Sequence, residues 1–150
     1  MNIQEALLVY SKLKKISKRF YLAGSARRGK SENLHDLDIV YLGNQIPILQ
    51  LEKIGFKFTM VGEKIVRGTL NNKSIDIYKA EPKYFGAMML FLTGSQKYNL
   101  KMRAKAKYKG MKLSQYGLFN RETNEYIAGR REEDIYLAMG LEYKKPEERK

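Results

Sequence analysis

The chain has no cysteine among its 150 residues, so neither a disulfide nor a thiolate metal site is open to it. Long hydrophobic runs are missing too. The longest, residues 85–92, falls far short of the about 20 apolar residues that a helix needs to span a bilayer. The opening Met1-Asn2-Ile3-Gln4-Glu5 lacks the basic-then-apolar layout of a secretory leader. Together these absences predict a soluble, intracellular protein with no membrane partner. Acidic residues are also scarce: 16 Asp and Glu stand against 29 Lys and Arg, for a net charge of +13. A surplus of this size repels itself and is matched by an anionic partner, with nucleic acid ahead of an acidic membrane or protein. What is present, 43% hydrophobic and 30% charged residues, is the composition of a folded globular chain.

Periodicity divides the sequence in two. Residues 3–19 carry Ile3, Leu7, Leu8, Leu13 and Ile16 at mostly helical spacing. Short strands follow at residues 20–23 and 37–42, separated by a polar stretch at residues 29–35, and residues 46–54 suggest a second helix closed by Gly55. Residues 56–61, 64–70 and 73–79 are rich in strand formers, with Asn71-Asn72 as the last turn. The expected fold class is therefore α+β: a mixed sheet about five strands wide with two helices. Beyond Glu81-Pro82 the pattern becomes mainly helical, with helices at residues 84–92 and 95–109 hinged at Thr93-Gly94 and Ser95 as the N-cap of the second. Short β-like patches at residues 113–119 and 126–127 precede a last helix at residues 132–139. The expected division is a catalytic lobe at residues 1–81 and a basic lobe at residues 82–150.

Three acids stand out. In Asp36-Leu37-Asp38 the two carboxylates lie two residues apart at the start of an apolar strand, so they share one face while Leu37 and Ile39 face a core. Asp76 sits among apolar neighbours in Ser74-Ile75-Asp76-Ile77-Tyr78 on another strand, where a lone buried carboxylate would be costly. If the strands are adjacent, the three acids converge on hard-oxygen ligation suited to Mg²⁺ or Mn²⁺. Two such cations about 3.5–4 Å apart support in-line phosphoryl displacement. Gly24-Ser25 with Arg27 and Arg28 supplies exposed amides, a hydroxyl and guanidinium for a phosphate. Jointly, these pieces form a nucleotidyltransferase pattern.

Further residues extend it. Phe91-Leu92-Thr93-Gly94-Ser95, Tyr98-Asn99-Leu100-Lys101-Met102-Arg103-Ala104 and Leu113-Ser114-Gln115-Tyr116-Gly117-Leu118-Phe119, together with the ending from Glu133 to Arg149, make the chain resemble the X-family DNA polymerases from about Phe20 onward. The resemblance implies a palm followed by a small, mainly helical thumb. It implies that Asp36, Asp38 and Asp76 bind two Mg²⁺, with Asp76 accepting the primer 3′-hydroxyl proton. Gly24, Ser25 and Arg28 would hold the incoming triphosphate. Phe91, Leu92, Gly94 and Ser95 would flank its sugar, Asn99 would reach its base and Arg103 the template side.

Helical spacing places Ser95, Asn99 and Arg103 on one face, and leaves Leu100, Ala104, Tyr108 and Met111 on another that is expected to pack inward. Lys97, Lys101, Lys105 and Lys109 recur every four residues, a like-charged stripe that a DNA backbone would neutralise. Each phosphate contact adds about −0.9 to the log–log salt slope for duplex DNA. His35, the only histidine, precedes the acid pair and is expected to support it or to face solvent rather than ligate.

The chain departs from the family in three places. Where the family often has an aromatic pair that crowds the sugar 2′ position, this chain has Phe91-Leu92, which bears on ribonucleotide discrimination. Ser74 stands where many members carry the Arg that positions the third acid, leaving Asp76 less restrained. The segment before Phe20 is too short for a lyase domain, so no lyase activity and weak processivity are expected. The full expectation is a monomeric, template-directed DNA polymerase that fills gaps with dNTPs. The alternatives are a template-independent nucleotidyltransferase acting on RNA, protein or a small molecule, and a non-catalytic DNA-binding module.

Overall fold

The computed structural model describes residues 1–150, which form two compact units, Met1–Ala80 and Glu81–Lys150. The first begins with α1 (Ile3–Ile16), whose N-cap Asn2 accepts from the Glu5 amide and whose Ala6, Val9 and Leu13 are buried. The strands are β1 (Phe20–Leu22), β2 (Asp36–Leu42), β3 (Lys57–Val61), β4 (Ile65–Leu70) and β5 (Lys73–Ala80). They form one five-stranded sheet in the order β1-β2-β5-β4-β3, with α2 (Gly24–Arg27) and α3 (Ile48–Lys53) in the connections. Only β2 and β5 run parallel; the remaining neighbours are antiparallel.

Alternation along the strands separates two faces. Leu37, Ile39, Tyr41, Ile75, Ile77 and Val66 point into one core with Ala6, Val9 and Leu13 of α1 and Leu51 of α3. Asp36, Asp38, Asp76 and Arg67 fall on the other face by the same period of two. The expected α+β class with a mixed five-stranded sheet is thus observed. The one short element not anticipated in this unit is α2, in which Gly24-Ser25 opens a single helical turn.

The second unit comprises α4 (Phe85–Thr93), α5 (Gln96–Tyr108), a three-stranded antiparallel sheet of β6 (Met111–Ser114), β7 (Gly117–Asn120) and β8 (Tyr126–Ala128), and α6 (Glu132–Ala138). Ser95 caps α5 by accepting from the Tyr98 amide at 3.2 Å. The inward face of α5 differs from the expected one. Tyr98, Met102 and Ala106 are buried, whereas Leu100 is 55% and Tyr108 93% exposed and Ala104 faces solvent. Met111 lies beyond the helix in β6, partly buried against this unit's core. The physical reason is one of phase: the Tyr98, Met102, Ala106 row offers a hydroxylated ring, a long thioether and a methyl that meet Leu90, Ile135 and Tyr136. The Leu100 row lies on the far side of the helix.

A charged strap closes this core. Arg149 is 1% exposed, with Nη1 2.6 Å from Glu132 Oε2 and Nε donating to the Lys144 carbonyl at 3.0 Å. Its guanidinium lies 5.7 and 5.5 Å from the ring centres of Tyr136 and Tyr143. The Tyr136 hydroxyl meets that of Tyr98 at 2.5 Å, linking α6 to α5. No helix of the protein is long and apolar enough to cross a membrane. Arg149→Met strands the buried Glu132 carboxylate and is expected to cost about 3–5 kcal/mol in urea denaturation, with the double variant Arg149→Met/Glu132→Leu recovering most of the loss.

Candidate active site

The strand register decides which acids meet. β2 and β5 pair with Asp38 opposite Asp76 and Asp36 opposite Ser74. Residues directly opposite in adjacent strands share a face, so the Asp38 and Asp76 carboxylates are neighbours, with Asp36 at the exposed start of β2. Burial pushes the Asp38 carboxyl up to about 6, with the charges of Asp76 and Asp36 adding to the rise and the Arg67 and Arg28 guanidinium groups opposing it. Asp76 is also raised, by burial first, then lowered by Arg67 and raised by Asp36. Like charges are thus held together in a half-buried place, which is what a divalent cation relieves. The donor set is all carboxylate oxygen, right for Mg²⁺ or Mn²⁺ and wrong for a soft metal. No three His, Cys, Asp or Glu side chains close into a ready-made cage. The close pair is Asp38 and Asp76, and Asp76 is further engaged by Arg67, whose Nε lies 3.4 Å from Oδ1.

Gly24 is fitted to this pair. Its φ is +68°, and a Cβ added there would lie 2.7 Å from Asp38 Oδ2. Only glycine combines that backbone with that approach. The Ala23 amide donates to the Asp38 carbonyl at 2.9 Å, tying the end of β1 to the middle of β2. The Gly24-Ser25 turn is therefore built directly onto Asp38. Arg28, at the end of α2, is near enough to bias the Asp38 carboxyl. His35 precedes the strand, exposed.

In the second unit the turn between α4 and α5 carries Gly94, with φ 65° and a cis peptide bond to Ser95. Asn99 Nδ2 donates to the Phe91 carbonyl at 2.7 Å, binding the first turn of α5 to the end of α4. Phe91, Asn99, Arg103, Leu113 and Ser114 line one cleft on this unit. Phe91 is 38% exposed, Leu92 partly buried and Arg103 exposed. Lys97, Lys101 and Lys105 are exposed along α5. Lys109 is exposed as well, and its ammonium donates to the Met139 carbonyl at the end of α6.

Arg67 and Tyr78 were not among the residues expected at the site, yet both lie on the face of the acids. The signal was the turn. Asn71 and Asn72 have φ 53° and 62°, the left-handed pair of a two-residue hairpin, which fixes Leu70 opposite Lys73 and hence Arg67 opposite Asp76.

A glycine-serine turn seated on one of two facing acids, in a mixed sheet followed by a small helix-and-sheet unit, defines the class as a nucleotidyltransferase palm with a thumb. Comparison with known proteins narrows the class. Residues 88–150 match the family model described as DNA polymerase beta thumb. Repair DNA polymerase X of African swine fever virus (isolate Warthog/Namibia/Wart80/1980) is 26% identical over 148 residues, covering 91% of this chain and 84% of the relative. DNA polymerase/3′-5′ exonuclease PolX of Bacillus subtilis (strain 168) is 28% identical over 153 residues, spanning 97% of this chain but 26% of that protein. The crystal structure of Leishmania infantum polymerase beta, in a ternary P/T complex, superposes with a TM-score of 0.79 at 23% identity, over 100% of this chain and 76% of that one. Together the thumb match, the viral and bacterial relatives and the superposition support an X-family DNA polymerase.

The raised Asp38 carboxyl has a consequence for stability. Its folded value lies above its unfolded one, so the ionised form penalises the fold fully above pH about 6, and the penalty fades as pH falls toward 4 and the folded carboxyl takes up its proton. With a metal chelator present, Asp38→Asn is therefore expected to raise the melting temperature at pH 7.5, by about 2–4 °C per kcal/mol relieved. The gain should vanish in melts at pH 4.

Proposed function

We propose that this DNA polymerase extends a primer 3′-hydroxyl with dNTPs under the direction of a template, by phosphoryl transfer assisted by two divalent cations, in gap-filling repair synthesis. The observation that carries the reading is the pairing of Asp38 with Asp76 beneath the Gly24-Ser25 turn. In it, Asp36, Asp38 and Asp76 hold the cations, two Mg²⁺ with Mn²⁺ as a substitute. Bound there, the cations neutralise the triphosphate and lower the pKa of the primer hydroxyl. Asp76, on the central strand of the acid face, takes the hydroxyl proton. Gly24 leaves room for a phosphate to approach the backbone beside Asp38, and Ser25 and Arg28 hold it by hydrogen bond and charge. These residues supply position and charge, and no covalent enzyme intermediate is required.

The second unit serves the nascent pair and the DNA. Phe91, Leu92, Gly94 and Ser95 flank the nucleotide sugar, and Asn99 and Arg103, which line one cleft with Phe91, face the base pair. Exposed Lys97, Lys101, Lys105 and Lys109 track the DNA backbone. The viral relative, named a repair polymerase and matched along 84% of its length, supports repair synthesis. The proposed DNA is gapped or primed duplex, and the proposed acting form is a monomer.

The test is Asp76→Ala in a primer-extension assay with gapped and open templates. Extension should fall by at least about 10³-fold, as for loss of a group acting at the reacting centre, while DNA binding by anisotropy is retained. Extension at the wild-type rate would refute the assignment.

A further inference from the structure

The acid-bearing face of the sheet also carries a cation that the reading above leaves unused. Arg67 lies on β4, in register with Asp76 on β5, and its Nε is 3.4 Å from Asp76 Oδ1. Tyr78, two residues along β5 and on the same face, makes a side-chain hydrogen bond with the same guanidinium. The strand order β2-β5-β4 places Asp38 on one side of Asp76 and Arg67 on the other. Asp76 therefore stands between a carboxylate that repels it and a guanidinium that draws it. The Asp76 side chain is 16% exposed and that of Arg67 47%, so the contact is shielded at the acid and open to solvent at the base.

We propose that Arg67, itself fixed by Tyr78, is a positioning residue that holds the Asp76 carboxylate in the rotamer used in catalysis. The proposal rests on the polymerase reading for its catalytic consequence, though not for the geometry. A short carboxylate beside another carboxylate has no reason to keep one χ1 well unless something on its far side fixes it. A planar guanidinium with several donors in a fixed fork can bind Tyr78 and Asp76 at once. The residue before Ile75 on the same strand, Ser74, lies opposite Asp36 rather than Asp38 and is too short to span to the Asp76 carboxylate along the face. The competing account is a cross-strand ion pair that only steadies the sheet, a small effect at an exposed site.

Three variants of the full chain separate these accounts: Arg67→Met, Arg67→Lys and Tyr78→Phe. Arg67→Met is expected to lower kcat for primer extension about 10-fold, the usual loss when a partner of a ligating carboxylate is removed. KM for dNTP, DNA affinity and melting temperature should stay near wild type. Arg67→Lys should recover part of the lost kcat, and Tyr78→Phe should fall between Arg67→Met and wild type. Independently of activity, three-bond NMR couplings across χ1 of Asp76 should report one rotamer in the wild type and averaging in Arg67→Met. Unchanged couplings, an unchanged kcat, or a loss that appears only in KM or melting temperature would overturn the proposal. If the wild type itself extends no primer, the polymerase reading falls, and the couplings still decide the role of Arg67.

Discussion

Parallel pairing of β2 with β5 sets Asp38 opposite Asp76, and almost everything else in the first unit serves that register. The two strands are far apart in sequence, joined through α3 and the β3–β4 hairpin, so the pairing must be enforced by packing rather than by a tight turn. Enforcement comes from the opposite face. Leu37, Ile39, Ile75 and Ile77 are all at or near zero exposure against α1. A one-residue slip would carry these side chains to solvent and the acids into the core, a change that burial energy forbids. The apolar face thus holds two repelling carboxylates side by side. The penalty shows in the elevated Asp38 carboxyl, and a divalent cation placed there would relieve it.

Around that pair the structure places compensations of different reach. Gly24 approaches Asp38 closely enough to exclude any side chain at its own position, bringing the Gly24-Ser25 turn onto the acid. Arg67 answers from the next strand, steadied by Tyr78. Neither requires a long-range network, since both follow from strand neighbours. The second unit has its own core and its own fastening, in which Arg149 is buried against Glu132 between two tyrosine rings. Here too a charge is taken out of water and matched by a partner, but for structure rather than chemistry. The final residues of the chain are therefore part of the thumb core.

Much of this was legible in the residues. Every strand of the first unit could be read from runs of strand formers between turn residues, and Ser95 could be read as a cap, because those signals are local. The shared face of Asp36 and Asp38 follows from the period of two. The register of β2 against β5 was not readable, since a parallel pairing closed over a long connection leaves no local mark. Arg67 was readable in principle: an Asn71-Asn72 turn fixes its partner by counting, once the hairpin is taken at its tightest. The inward face of α5 was misjudged because its Lys-rich sequence has two apolar rows, and only the packing of Tyr98 and Met102 against α6 selects between them. Lys109 belongs to the stripe by spacing, and its position at the end of α5 also brings its ammonium to the Met139 carbonyl, a contact that spacing does not reveal.

The central claim is that two facing strands bring carboxylates together to share divalent cations. The most direct measurement is a crystal structure with primer–template, a non-hydrolysable dNTP analogue and Mn²⁺, using anomalous scattering to locate the metal. The account predicts two Mn²⁺ peaks about 3.5–4 Å apart, bounded by carboxylate oxygens of Asp36, Asp38 and Asp76. Metal peaks lying elsewhere, or an Asp76 carboxylate outside their coordination, would contradict it.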